Sequence, residues 1–187
     1  MTIKPWPVVR SAPKGDFRIF KIRQDTRTSP RTGREMDFVV LESRDWVNVI
    51  AVTRDQRLVM VEQFRHGSAT VELEIPGGVM DAEDDSPMTA GLRELTEETG
   101  FEGDRPRLIG QVWSNPAIMN NRTYTVLVEN CRLRSATRFD SGEDILTRLV
   151  PVAQVPELVR SGQIRHSLVI VALHHYELLR QAQAGGR

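Results

Sequence analysis

The stretch Arg93-Glu94-Leu95-Thr96-Glu97-Glu98-Thr99-Gly100 decides how the rest of the chain is read. Upstream of it, Ser86-Pro87 is a strong helix start, because serine caps free amides and proline suits the first turn. Gly100 suits the left-handed residue that stops a helix. The pattern predicts a helix from the Ser86-Pro87 start to about Thr99. On it Glu94, Glu97 and Glu98 stand at i, i+3 and i+4 and converge on one face. Like charges at that spacing cost an isolated helix roughly 0.2–0.5 kcal/mol per pair, a cost that a hard divalent cation removes. Mg²⁺ takes carboxylate and phosphate oxygens together, with waters completing its octahedron. Arg93 stands one helical turn before Glu97 and is placed to hold that carboxylate. A Glu cluster by itself reads as a solvated acidic face. The flanking sequence argues otherwise.

Immediately before this helix, Val71 to Ile75 alternates, with Val71, Leu73 and Ile75 expected on one side and Glu72 and Glu74 on the other. Pro76-Gly77-Gly78 breaks the strand, and its glycines let backbone carbonyls and amides approach a metal or a phosphate. Further out, Asp16 to Arg23 reads as a strand, Asp25 to Arg34 as a hairpin loop and Met36 to Leu41 as the returning strand. These make a small antiparallel unit over 1–44, ahead of a main domain over 45–187. Trp46 to Val52 is a mostly buried strand, and Leu58 to Gln63 is another after the polar turn Arg54 to Arg57. Strands follow the helix near Arg107 to Trp113, Thr123 to Leu133 and Arg148 to Val152. Two helices close the chain, near Val155 to Ser161 and Ser167 to Gln181, and the small polar end, Gln181 to Arg187, is expected to fray. Strands with a few interspersed helices give an α+β domain, not a regularly alternating parallel one.

The 187 residues suit one compact domain with an accessory segment. Hydrophobic residues at 40% and charged residues at 27% are ordinary for a globular chain. Lys+Arg and Asp+Glu both number 25, so no global positive field gathers nucleic acid, and a small-molecule ligand fits better. The single cysteine, Cys131, excludes an internal disulfide and suits a reducing cytoplasm. Residues 1–10 lack the apolar core of a signal peptide, and the run Leu168 to Leu173 is far too short to span a bilayer.

The stretch Gly78 to Phe101, GVMDAEDDSPMTAGLRELTEETGF, resembles the Nudix box. That pattern is Gly, five residues, Glu, seven residues, then Arg-Glu-apolar-x-Glu-Glu-x-Gly-apolar. Arg93 to Phe101 matches it at every specified position. The first half is one residue longer than the pattern, so the family's first Glu is met by Asp85 or, with the gap placed differently, by Glu83 or Asp84. The resemblance implies an α/β/α sandwich with a mixed sheet, and dependence on Mg²⁺, for which Mn²⁺ can substitute. It maps Glu94 and Glu98 to principal metal ligands, Glu97 to a third with Arg93 as its orienter, and the Gly77 carbonyl to a further ligand. It also implies a general base on a later acidic loop. Phe139 to Ile145 occupies that place, with Glu143 first and Asp144 and Asp140 in reserve.

Within the family, the chain is similar to the ADP-ribose and nucleoside-diphosphate-sugar branch. The order of an N-terminal β unit, then Glu62-Gln63-Phe64-Arg65, then Glu72 to Gly78 is one resemblance. Pro116, fifteen residues beyond Phe101, is another, and the loop Ser114 to Arg122 is a third. The branch implies hydrolysis of the diphosphate bond to a nucleoside monophosphate and a sugar phosphate, by a homodimer joined through its N-terminal strands. Arg65 is then a diphosphate contact, since a guanidinium fork matches phosphate oxygens. Gly78, Glu74, Pro116 and Asn121 are further substrate-side candidates, although Arg65 also reads as a surface charge, Glu74 as the polar face of a strand and Asn121 as a turn former. His166, His174 and His175 read as structural. Trp46 reads first as core. Another Nudix substrate and a non-catalytic ADP-ribose-type sensor are the alternatives.

Overall fold

The computed structural model describes residues 2–139, 142 and 144–185. The chain divides into two compact units. Residues 1–44 with 113–122 make the first, and residues 45–112 with 123–187 make the second.

The first unit is a three-stranded antiparallel sheet in the order β1-β2-β3, from Val8–Asp16, Phe20–Thr28 and Glu35–Ser43. It has a strand more than the sequence predicts. β1 is almost wholly exposed and contains Pro13, so it shows neither alternation nor an apolar run. The expected loop over 25–34 is also too wide. Asp25 to Thr28 extend β2, and the turn is confined to 29–34, where the Ser29 amide donates to the Arg34 carbonyl and Gly33 adopts a left-handed φ of 70°. Asp25 is 1% exposed despite its charge. Arg23, the Ser11 hydroxyl and Arg27 all donate to its carboxylate and hold its pKa well below the ordinary range. Because the folded carboxyl titrates below the free value of about 3.9, its stabilisation is complete above that pH and is lost as pH falls through and below it. We expect the urea midpoint to drop between pH 7 and pH 3, and to drop less in Asp25→Asn.

The second unit holds a sheet in the order β10-β5-β4-β9-β8, with β6 paired to β5 and β7 (Gly77–Val79) to β4, and with β8 (Phe101–Trp113) at its edge. The central pair β4 (Trp46–Thr53) and β9 (Arg122–Leu133) is parallel, while β5 (Arg57–Arg65) runs antiparallel to β6 (Thr70–Glu74) and β10 (Ile145–Pro151). β4 is buried almost throughout because both faces of the sheet are covered. Val47, Val49 and Ala51 join Val126 and Val128 in one cluster with Ala90 and Leu95 of α1 (Pro87–Thr99). The alternate residues Ile50 and Val52 join Leu58, Met60 and Leu127 in another. That cluster is capped by Val155 of α2 (Val155–Arg160) and by Val169, Ala172 and Leu173 of α3 (Ser167–Gly185). The result is helix, mixed sheet, helix, as the resemblance implies. β8 (Phe101–Trp113) starts earlier than predicted, since Gly103, Asp104 and Pro106 disguise it as loop, and α3 continues through the expected frayed end to Gly185. Among the described residues, no helix is long and apolar enough to cross a membrane.

Candidate active site

Helix α1 forms where its caps place it. The Ser86 hydroxyl accepts from the Thr89 amide at 3.2 Å, Pro87 opens the first turn, and Gly100 ends it at φ 70°. Its inner face carries Ala90, Gly91 and Leu95 together with Glu94 and Glu98, which are only 9% and 4% exposed. Two acids on the buried face of a helix are costly unless their oxygens are occupied. The short strand β7 (Gly77–Val79) supplies one partner, as the Gly77 amide donates to Glu98 at 3.0 Å. β7 pairs with β4 at Val47↔Gly78 and Asn48↔Gly77, so Pro76-Gly77-Gly78 is not merely a break. Both glycines are required by close approach. A Cβ on Gly77 would lie 2.3 Å from the Val47 carbonyl, and one on Gly78 would lie 2.3–2.6 Å from the Glu94 carboxylate.

Arg93 is the hub. It donates to Glu94 at 2.9 Å and to Glu97 at 3.1 Å, and its fork also grips Asp84 at 2.8 and 3.3 Å. It reaches the Val79 carbonyl at 3.3 Å as well, tying α1 to β7. Its pKa is raised, first by Asp84, and that of Asp84 is lowered, first by Arg93. The extra residue in the first half of the box is thereby placed. Of the three acids that spacing left open, Asp84 is the one that braces the loop, with a side chain 5% exposed, while Glu83 and Asp85 stand exposed. We expect Asp84→Asn to lower the unfolding free energy by about 1–3 kcal/mol. Asp85→Asn should change it by less than about 0.5 kcal/mol. Chemical denaturation of both variants decides the assignment, and an equal effect would refute it.

Among the described residues, no three acidic, His or Cys side chains stand gathered around a metal position, and Arg93 and the Gly77 amide bond to Glu94, Glu97 and Glu98. The donor set still fits Mg²⁺ or Mn²⁺. It is all oxygen, two of its three carboxylates are buried, and Gly78 leaves its Cβ space to Glu94.

Arg65 ends β5 with its fork on Glu74, at 2.8 and 2.9 Å, and its guanidinium 5.9 Å from the Trp46 ring centroid. Trp46 in turn donates its indole N–H to Asn48. Both sides of β6 are covered: Leu73 and Ile75 pack in the core as an apolar side should, and the acids of the other side are buried as well. Val71 is 63% exposed, while Glu72 and Glu74 are 5% and 3% exposed. Each inward acid is neutralised by an arginine, Glu74 by Arg65 and Glu72 by Arg165. Arg165 was not visible in the sequence as a site residue, for it lies 93 positions from its partner. Arg65, His66, Ser68, Thr70, Arg165 and His166 line a cavity of about 620 Å³. Asn121 and Pro116 belong to the first unit, where Asn121 is buried and donates its amide to the Arg44 carbonyl, and Pro116 is exposed. Glu143 and Asp140 lie outside the described residues, and Asp144 is exposed ahead of β10. Cys131 is buried with its thiol pushed up to about 12 by desolvation, which suits packing and not nucleophilic attack.

Residues 42–169 match the NUDIX domain family. The chain belongs to that family. This Nudix chain is 28% identical to an ADP-ribose pyrophosphatase of Bacillus subtilis (strain 168), over 74% of its own length and 75% of the relative's. It is 25% identical to a GDP-mannose pyrophosphatase of Yersinia pestis (strain Pestoides F), covering 88% and 87%. A solved structure titled as an ADP compounds hydrolase superimposes with a TM-score of 0.87 over 98% of each chain at 17% identity, which establishes the shared fold.

Proposed function

We propose that this chain is a divalent-metal hydrolase that splits the diphosphate bond of ADP-ribose or a nucleoside diphosphate sugar. The products are a nucleoside monophosphate and a sugar phosphate. The observation that carries the reading is the buried pair Glu94 and Glu98 set against Gly77-Gly78 and braced by Arg93. The pyrophosphatase relatives, whose matches cover 74–88% of each chain, support the substrate class.

Glu94, Glu98, Glu97 and the Gly77 carbonyl would hold Mg²⁺, with Mn²⁺ as substitute. Bound there, the cation would supply Lewis-acid chemistry, polarising phosphate oxygens and lowering the pKa of water. Arg93 keeps the carboxylates aimed. Gly78 gives the diphosphate close access to the backbone, and Arg65 offers its guanidinium to phosphate oxygens while Glu74 fixes its plane. Pro116 and Asn121 shape the nucleoside or sugar side. Glu143 accepts the proton of the attacking water. We further propose a cytoplasmic homodimer joined through residues 1–44, with 45–187 as the catalytic part.

The test is product analysis with Mg²⁺ and, separately, ADP-ribose, ADP-glucose, GDP-mannose, UDP-glucose and 8-oxo-dGTP. Nucleoside monophosphate plus sugar phosphate is the expected outcome. Turnover of the triphosphate alone would keep the metal site and reject the branch. Tight binding of ADP-ribose with no turnover would make the protein a sensor.

A further inference from the structure

The far end of β4 carries a second polar cavity. β4 meets β7 at Trp46 to Asn48 and ends at Thr53. At about 3.3 Å per residue, the two ends lie roughly 20 Å apart. A cavity of about 300 Å³ opens beside the Thr53 end. Three separate elements each bring it an arginine: Arg54 from the β4–β5 turn, Arg107 from β8 and Arg180 from α3. Among the described residues, the only acid lining it is Glu129. In a chain whose charges sum to zero, this is a local excess of positive charge.

Internal counter-charge is weak. Arg107 reaches Glu129 at 3.4 Å with both side chains 42% exposed, and Arg180 reaches Glu177 at 3.6 Å. Exposed pairs of this kind contribute little. Glu177 lines the neighbouring apolar groove and not this cavity. Arg54 makes no ion pair among the described residues. The rest of the wall can receive an anion. Arg180 is propped over Tyr176, 5.7 Å from the ring centroid, and Gln56 and Asn130 also line the cavity. Beside it β9 slips register against β4 between Ala51 and Thr53, with Asn130 left-handed at φ 56°.

We propose that this cavity is a second anion site, for a phosphate-bearing small molecule, separate from the Glu94–Glu98 site. Guanidinium forks match phosphate oxygens, and three arginines line this cavity against one carboxylate. The volume is at the lower limit of small-molecule sites, so it suits a diphosphate-sized anion and excludes a dinucleotide. Occupancy would tie the β4–β5 turn, β8 and α3 together and stabilise the fold by mass action. The proposal does not depend on which substrate the enzyme cleaves.

Inorganic pyrophosphate is the probe, titrated calorimetrically into the full chain in EDTA at constant ionic strength, so that the metal-dependent site takes no part. Saturable one-to-one binding is expected, unchanged in Arg65→Ala and weakened about tenfold or more in the double variant Arg54→Ala/Arg180→Ala. Should the double variant fail to fold by circular dichroism, Arg54→Gln and Arg180→Gln singly retain the side-chain stems and should each weaken binding several-fold. Absence of saturable binding to the unaltered chain, unchanged binding in the arginine variants, or loss in Arg65→Ala instead would each overturn the site.

Discussion

Glu98→Gln lowers kcat/KM at fixed Mg²⁺ by about a thousandfold or more while the protein stays folded. The expectation follows from what glutamine keeps and what it removes. Its side-chain oxygen can still accept from the Gly77 amide, now 3.0 Å from Glu98, so the packing of β7 on α1 survives. The negative charge is gone from a position only 4% exposed, where little water screens a cation's loss of its ligand. Metal stabilisation of a phosphoryl transition state is worth several kcal/mol, and each 1.4 kcal/mol is about a tenfold change in rate. Steady-state kinetics over a Mg²⁺ series, alongside a thermal melt, separates lost metal affinity from lost fold. Activity within threefold of the unaltered chain would remove Glu98 from the metal site and, with it, the mechanism.

Gly78→Ala is expected to cost about 10–100-fold in kcat/KM, the range seen when groups that aim metal ligands are disturbed. The new Cβ would fall 2.3–2.6 Å from three atoms of the Glu94 carboxylate. That carboxylate is bound by Arg93 at 2.9 Å, so it can retreat only by abandoning the hub that also holds Glu97 and Asp84. Overpacking of this kind also costs about 1–3 kcal/mol of stability. Gly67→Ala serves as the control, because a Cβ there meets nothing within 4 Å and its melting temperature should not move. Full activity in Gly78→Ala would mean that Glu94 need not stand where this structure holds it.

Helix α1 was legible from one end to the other because its signals are local. Ser86, Pro87 and Gly100 each act on neighbours within a turn, and the i, i+3, i+4 spacing of Glu94, Glu97 and Glu98 sets their shared face whatever surrounds them. The buried strands β4 and β9 were legible for a similar reason, since runs such as Val47 to Val52 read as core on either face. β1 was not, because an exposed strand held by pairing alone leaves no hydrophobic pattern.

By itself, then, the sequence determined the acid-bearing helix and the buried strands, which rest on short-range sterics and periodicity, while the sandwich was what the family resemblance implied and the expected break at Gly77-Gly78 is strand β7. The tertiary structure alone decided the charge pairings. It selected Asp84 over Glu83 and Asp85 by bringing one of them within 2.8 Å of Arg93. It buried the charged Glu72 and Glu74, with Val71 left in solvent, because Arg165 and Arg65 are there to meet them. An acid is buried only where a cation waits for it, and that cation can lie anywhere along the chain, so no local rule of alternation or spacing can locate it.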